Sequence, residues 1–467
     1  MSIFFNDLGK HQNSIVFTTI DEQISYNDLV FEIEKLSENL LARKLAFIIC
    51  ENNIESVLGY LTFLRIGIVP LLVSKSIDRE LLNDLITNYK PNYIWANKDY
   101  TLSNDWKITH SNRTFQLQES ISPFNHEFHP SLALLLMTSG STGSPVLVRL
   151  SYQNLIQNTI SISDSLGISK EDKPITTLPM NYTFGLSIIN SHLLNGCEII
   201  LTELSILSKD FWDLFKSRKP TTFGGVPYTY QMLKRIGFEK MDLPFLKKLT
   251  QAGGKLDHNM SKYFAELCLL KGIKFFVMYG QTEATARMSC LPAEDAVKKA
   301  GSIGIPIPNG SFYLVDDNLD VINEADKEGE LYYKGPNVSM GYAYNVNDLI
   351  LGDENNGVLA TGDLAKKDNE GYYYIVGRKK RFLKIFGNRI SLDEIENITL
   401  KNGYSCVCTG VDDKLYVFTE NEQDVLELKN LISAKISIHH SAIIVKHISK
   451  IPRNDSGKIL YSELQVK

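Results

Sequence analysis

Thr138-Ser139-Gly140-Ser141-Thr142-Gly143-Ser144-Pro145 gathers small residues and hydroxyls between two apolar runs, Leu132 to Met137 and Val146 to Leu150. Two strands joined by such a segment form a nest whose backbone N–H groups converge on an anion, and the hydroxyls add neutral donors. The Gly-x-x-x-x-Gly-Lys-Ser/Thr pattern of a loop running into a helix is absent. A phosphate cradle and a plain Ser/Gly hairpin turn both fit the segment. Tyr279-Gly280-Gln281-Thr282-Glu283 combines an aromatic able to stack on a base, a glycine that lets backbone approach a ligand, a hydroxyl and a carboxylate. Ala252-Gly253-Gly254 is a second close-approach loop. Thr361-Gly362-Asp363 sets a carboxylate after a turn, suited to accepting from two vicinal hydroxyls. Ile451 to Ile459 carries Lys458 in a glycine-bearing turn. Each also has an ordinary reading: Asp363 as a turn cap, Glu283 as a helix-start acid, Lys458 as a solvated cation.

Residues so far apart need a scaffold to bring them together. Leu29, Val30, Ile33, Leu36, Leu40 and Leu41 recur at helical spacing after Ser25. Ala46 to Cys50 reads as a strand, Ile54 to Ile66 as a helix, Val69 to Val73 as a strand, Arg79 to Tyr89 as a helix and Tyr93 to Ala96 as a strand. Such alternation builds parallel sheets covered by helices. It resumes with a helix from about Gln153 and strands at Glu198–Thr202 and Lys274–Met278. From Gly329 the strands shorten and Gly, Asn and Asp punctuate them. After the basic cluster Arg378-Lys379-Lys380-Arg381 the pattern becomes a small α+β one: a helix near Leu392–Ile398, strands at Ser405–Gly410 and Lys414–Thr419, a helix at Gln423–Ser433. The expected division is a large domain over 1–379 and a small one over 380–467.

The chain has 467 residues, more than one comfortable core. A net charge of −5 argues against a general nucleic-acid or membrane-surface role. The first residues do not place a basic segment before a long apolar core, so no signal peptide is expected. No apolar run approaches the ~20 residues of a membrane span. Cys50, Cys197, Cys268, Cys290, Cys406 and Cys408 form no Cys-x-x-Cys pair and read as reduced, mostly buried thiols. His439-His440 lacks partners at ligand spacing and reads as structural. A cytoplasmic setting fits this usage.

In this order and spacing, the Ser/Thr/Gly loop, Tyr279-Gly280-x-Thr282-Glu283, Gly301-x-x-Gly304-x-Pro306, Gly329-Glu330-Leu331, Thr361-Gly362-Asp363, Gly377-Arg378 and Ser456-Gly457-Lys458 resemble the adenylate-forming superfamily. That superfamily comprises acyl-CoA synthetases, adenylation domains of nonribosomal peptide synthetases, and luciferases. The resemblance covers nearly the whole chain and is nearest to the acyl and aryl synthetases. It implies an α/β fold: a large N-terminal domain of helix-flanked β-sheets, a small β-barrel-like subdomain, and a small mobile α+β C-terminal domain. It also implies a two-step reaction. A carboxylate attacks the α-phosphate of ATP to give an acyl-adenylate and pyrophosphate, and a thiol then displaces AMP. An anion must meet a polyanion, so catalysis is mainly positioning and charge neutralisation.

The resemblance assigns roles to residues. Thr138, Ser139, Gly140, Ser141, Thr142 and Gly143 would hold the β- and γ-phosphates. Thr282 would bond the α-phosphate and Glu283 would ligate Mg²⁺. Tyr279 and Gly280 would line the adenine slot with Gly253 and Gly254. Asp363 would take the ribose hydroxyls, supported by Arg378. Lys458 would bring its charge to the substrate carboxylate and α-phosphate. Lys380 would be the pivot, and Lys384 and Gly387 would serve the thiol. Tyr182, Gly185 and Tyr228 would line the acyl pocket, with Tyr230 a further candidate. The acceptor would be coenzyme A or the phosphopantetheine of a separate carrier protein, because no Gly-Gly-x-Ser segment follows Lys458. The charge from Arg378 to Arg389 would attract such an anionic partner or simply face solvent.

Two departures qualify the resemblance. The usual Pro-Lys-Gly after the loop is Pro145-Val146-Leu147 here, and Arg149 would leave a regular strand on the face opposite Val146. Phe184-Gly185-Leu186-Ser187 replaces the Phe-Asp-x-Ser of amino-acid-activating members, so the acid is expected not to be a standard α-amino acid. Tyr182 stands where the acyl and aryl synthetases usually have His. Two rival readings stay open: an amide- or ester-forming ligase, and a nucleotide-binding protein with little turnover.

Overall fold

A computed structural model of the chain describes residues 4–38, 40–100, 103, 105–137, 146–379, 381–386, 388–436, 438–455 and 457–464. The chain divides into two compact units, Met1–Ser311 with Lys334–Leu359, and Phe312–Tyr333 with Ala360–Lys467.

The first unit holds two large sheets. In the nine-stranded one, Lys274–Tyr279, Lys248–Gln251, Thr222–Gly225, Pro174–Ile175, Ile199–Ile200 and Ile15–Thr18 run parallel in that order. Ser289–Leu291 and Ile305–Pro306 extend one edge antiparallel, and Gln23–Ser25 the other. The eight-stranded sheet has a parallel centre of Leu132–Met137, Val69–Ser74, Leu45–Cys50 and Tyr93–Asn97. Antiparallel pairs flank it: Leu147–Ser151 with Gly341–Ala343, and Phe115–Ser120 with Trp106–Ser111.

Helices Ile54–Ile66 and Thr183–Leu194 are buried around most of their circumference. One core explains this, because it draws Phe17 and Ile199 from one sheet, Ile48, Leu72 and Leu134 from the other, and Val57, Leu61, Leu186 and Ile189 from these helices. Helix Tyr26–Ser37 starts at Ser25 in a capping box with Asp28. It stops at Ser37, short of the expected Leu40 and Leu41; Leu40 packs on the core from the following turn and Leu41 is exposed. Periodicity alone does not separate a helix from the turn that continues its apolar face.

The second unit contains most of a five-stranded sheet in the order Val321–Ile322, Ser311–Val315, Gly329–Lys334, Val358–Lys367, Tyr373–Arg378. Beyond it, Phe382–Ile385 pairs with Asn388–Ser391. Lys414–Thr419 lies between Val407–Val411, antiparallel, and Ile443–His447, parallel. Helices Leu392–Lys401 and Val425–Ile436 bury Ile395 and Ile432 against Leu383, Cys408, Val417 and Ile443. The six cysteines are free thiols, all buried except the half-buried Cys406. Among the described residues no helix is long and apolar enough to cross a membrane.

Candidate functional site

Strand Lys274–Tyr279 delivers the chain to Gly280, and Thr282–Ala284 form a single 3-10 turn. Thr285 follows with φ 66° and ψ −56°, and the Ala286 N–H bonds the Ala284 carbonyl at 2.7 Å. This is the strained form of γ-turn, centred on a β-branched residue. Such strain costs ~1–3 kcal/mol and persists only where the surroundings over-determine it. Asn337 supplies that constraint. Its carbonyl accepts from Thr285 Oγ1 at 2.7 Å, and its Nδ2 donates to the Ala284 and Arg287 carbonyls, both at 2.9 Å. Asn158 Nδ2 donates to the Arg287 carbonyl as well, at 2.9 Å. Gly280 belongs to the same tight return: a Cβ there would overlap the Ala286 carbonyl. The close approach that requires glycine at 280 is therefore to its own chain.

Tyr279, Thr282 and Glu283 are half-buried. Gln281 Nε2 donates to Tyr279 Oη at 3.2 Å. The Glu283 carbonyl accepts from the Ser339 N–H at 2.8 Å, and its Oε1 accepts from Tyr342 Oη at 2.9 Å. Burial and the Glu283 charge push the Tyr342 phenol above its ordinary range, which keeps it a neutral donor. Among the described residues no three His, Cys, Asp or Glu side chains gather into a metal cage. One pinned carboxylate suits magnesium, which takes one or two protein carboxylates and fills its remaining positions with phosphate and water.

The residues expected along the acid share one apolar cluster. Tyr182 precedes helix Thr183–Leu194. Gly253, at φ +83°, would place a Cβ 2.5 Å from Tyr182 Oη, so the glycine loop and the tyrosine touch. Burial pushes the Tyr182 hydroxyl up to about 12. Gly254 lies against Pro227, and Gly185 sits in the first helical turn beneath the Leu178 and Pro179 carbonyls. Tyr182 and Tyr228 pack on Phe184, Val226, Ala252 and Met278. Tyr230 does not join them. It is fully buried, donates to the Thr250 carbonyl at 2.8 Å and meets Phe264 edge-on. Residues two apart on helix Pro227–Arg235 face different ways, so Tyr230 is a core residue.

Thr138, Ser139, Gly140, Ser141, Thr142 and Gly143 lie outside the described residues. The strands flanking them pair with Met137 opposite Leu147. Arg149 is no substitute for the lysine missing at Val146. It is fully buried, and all five of its N–H donors are engaged within the fold. Nε donates to the Tyr342 carbonyl at 2.9 Å; Nη1 to the Leu351 carbonyl and, at 3.2 Å, that of Gly352; Nη2 to the Met340 carbonyl at 3.1 Å and to Glu354. It is a clamp for the edge strand Gly341–Ala343.

In the second unit Asp363 faces Arg378 across paired strands, with Arg378 Nε 3.2 Å from Asp363 Oδ1. Asp363 is buried, and Thr361 Oγ1 donates to the Leu331 carbonyl at 2.7 Å beside it. The basic cluster is largely paired. Lys379 meets Glu330 at 2.6 Å. Arg381 reaches Asp393, Glu396 and the Cys408 carbonyl and lies 4.7 Å over the Tyr461 ring. The expected charge attraction loses these members, since their fields are cancelled locally. Lys384 is exposed, and its backbone N–H donates to Asp412 at 2.9 Å. Lys380 and Gly387 lie outside the described residues. Lys458 sits in a closed turn. Its N–H donates to Asn454 Oδ1, its carbonyl accepts from the Asn454 N–H, both at 2.9 Å, and Arg453 bridges to Ile459.

The profile of the AMP-binding enzymes matches residues 4–343. The chain belongs to that family. Among members, it is 25% identical to a 2-succinylbenzoate–CoA ligase of Bacillus cereus over 463 residues, 95% of this chain and 94% of the relative. The fold matches the o-succinylbenzoate CoA synthetase of Bacillus subtilis in complex with its acyl-adenylate intermediate, with a TM-score of 0.82, 20% identity, and coverage of 100% of this chain and 98% of that one. The same synthetase with ATP and magnesium ion gives 0.80 at 20% identity, over 99% of each chain.

Several residues of this AMP-binding enzyme escape a reading of motifs: Asn158, Asn337, Thr285, Tyr342 and Arg287. One signal was available. Asn154 and Asn158 stand one turn apart on the buried face of helix Tyr152–Leu166, where a polar side chain must have a partner. Asn337, Thr285 and Tyr342 carry none, because they bond residues 50 or more positions away, and nothing in the local sequence marks Arg287, whose side chain bonds Met278 and Ala286.

Proposed function

We propose that the chain is an AMP-forming acid–thiol ligase. It joins a carboxylic acid to the α-phosphate of ATP, releases pyrophosphate and passes the acyl group to coenzyme A. Family membership and the near full-length match to CoA ligases support this. The observation that carries it is Glu283. This half-buried carboxylate is pinned by Tyr342 on a strained loop that Asn337 locks. A fixed carboxylate is what a reaction between anions requires.

In this proposal Glu283 holds magnesium, which when bound neutralises phosphate charge. Thr282 bonds the α-phosphate, and Thr138 to Gly143 hold the outer phosphates. Tyr279, Gly280, Gly253 and Gly254 border the base, and Asp363 with Arg378 takes the ribose. Tyr182, Gly185 and Tyr228 border an acid that is not an α-amino acid. Lys458 supplies the cation for the developing charge, Lys384 and Gly387 serve the thiol, and Lys380 is the pivot between domains at 1–379 and 380–467. A cytoplasmic location is part of the same reading.

Pyrophosphate release across a panel of carboxylic acids, 2-succinylbenzoate among them, tests it. Acid-dependent release is expected. Lys458→Ala should lower it ~10²-fold or more with an unchanged melting temperature. Silence across the panel with ATP still bound favours the second reading, a nucleotide-binding protein with little turnover. Val146 and the fully committed Arg149 motivate that reading.

A further inference from the structure

Arg287 is 3% exposed, and among the described residues no carboxylate lies within ion-pair reach of it. Its side-chain bonds are long: Nε to the Met278 sulfur at 3.3 Å, Nη1 to the adjacent Ala286 carbonyl at 3.3 Å, Nη2 to Ser187 Oγ at 3.5 Å. Ordinary N–H···O bonds fall at 2.7–3.2 Å. The guanidinium lies 4.0 Å from the centre of the Phe184 ring, which offsets part of a lost hydration shell but supplies no counter-charge. Burial pulls it down to about 10, so it remains a cation at neutral pH. Buried charges in folded proteins are normally paired, because an isolated one is costly to desolvate.

The contrast with Arg149 sharpens the point. That arginine, equally buried, spends every donor on the fold and meets Glu354. Arg287 stands instead against Phe184 and Ser187, in the cluster that contains Tyr182. Its backbone is fixed by Asn158 and Asn337 four residues after Glu283. A ligand anion would supply the counter-charge that the described residues do not.

We infer that Arg287 binds a second anionic group on the acid substrate, so that the enzyme selects a dicarboxylate over the matching monocarboxylate. A planar fork of donors fits a carboxylate in two-point contact. This rests on the ligase reading for its substrate, but its test does not need turnover.

Calorimetry with the intact protein, with and without a non-hydrolysable ATP analogue, would compare acids that differ by one carboxylate. Suitable pairs are 2-succinylbenzoate with 2-butanoylbenzoate, phthalate with benzoate, and adipate with hexanoate. The expected result is a ~10–100-fold preference for the dicarboxylate in at least one pair. Arg287→Met should reduce that preference to about two-fold, leave monocarboxylate affinity nearly unchanged, and keep or raise the melting temperature of the ligand-free protein. Arg287→Lys should retain part of the preference. Equal binding within every pair by the wild type, no binding to any pair, or a preference that survives in Arg287→Met overturns the inference. The wild-type comparison stands even where the Met variant fails to fold. Pyrophosphate release from the preferred acid is scored separately: selective binding without release sinks the ligase reading and leaves Arg287 assigned.

Discussion

Two side chains decide the character of the candidate site at the scale of single residues. Glu283 needs Tyr342 to aim it and Asn337 to hold the turn beneath it. Asn337 is 2% exposed, and its amide caps the Ala284 and Arg287 carbonyls. Asn337→Leu keeps the volume roughly constant and removes those donors. A buried acceptor left unpaired costs ~1–3 kcal/mol, so the variant should lose about 2 kcal/mol in urea unfolding. It should also lose adenylation beyond that, because Thr285 loses a brace against its own backbone strain. Stability loss with adenylation untouched would show that the loop is merely packed there. The residue types of Thr282 and Glu283 were legible in the sequence. Asn337 was not, since these partners are 50 or more positions away.

At the scale of elements, the edge strand Gly341–Ala343 pairs antiparallel with Leu147–Ser151. Arg149 rivets these two strands to the 351–354 segment. Arg149→Met strips four carbonyls and Glu354 of their donor. An acceptor left without its donor costs ~1–3 kcal/mol, while the half-exposed Glu354 adds little, so a fall of about 3 kcal/mol in unfolding free energy is expected. Val146→Lys acts at the same hairpin and oppositely in kind. It should lower the KM for ATP several-fold with little change in stability, since Val146 is half-buried at a loop end; unchanged ATP kinetics would show that no cation is needed there. Alternating strand and helix patterns made the parallel sheets legible. Small offsets, such as Leu147–Ser151 instead of a run from Val146, arose because apolar runs extend past the hydrogen-bonded ladder.

Across the whole molecule, a buried polar knot in the first unit ties stability to pH. Lys248 and Asp172, both nearly buried, pair at 2.8 Å, and Lys248 also donates to the Gly167 carbonyl at 2.8 Å. His192 lies close enough to feel both charges; its Nδ1–H donates to the Ile188 carbonyl at 2.8 Å and its Nε2 has no partner among the described residues. Burial pulls His192 down to about 4, against about 6.5 in the unfolded chain. Between those values the unfolded chain holds a proton the fold refuses. Stability is therefore full above pH ~6.5 and falls as pH drops towards ~4, by about 3 kcal/mol from this group. His192→Gln should flatten that part of a stability–pH curve; an unchanged slope would assign it to the carboxylates instead.

The order of motifs along the chain was enough to place it among adenylate-forming enzymes, because the loops proposed to meet phosphate, metal and ribose use local backbone and side-chain chemistry visible within a few residues. The sheet-forming periodicities were local in the same sense. The division of labour between two buried arginines was not. Arg149 finds its carboxylate 205 positions away and becomes structure, while Arg287 finds none among the described residues. Pairing of charge in a low-dielectric interior depends on which distant segments the fold brings within about 4 Å, and only the tertiary structure decides that.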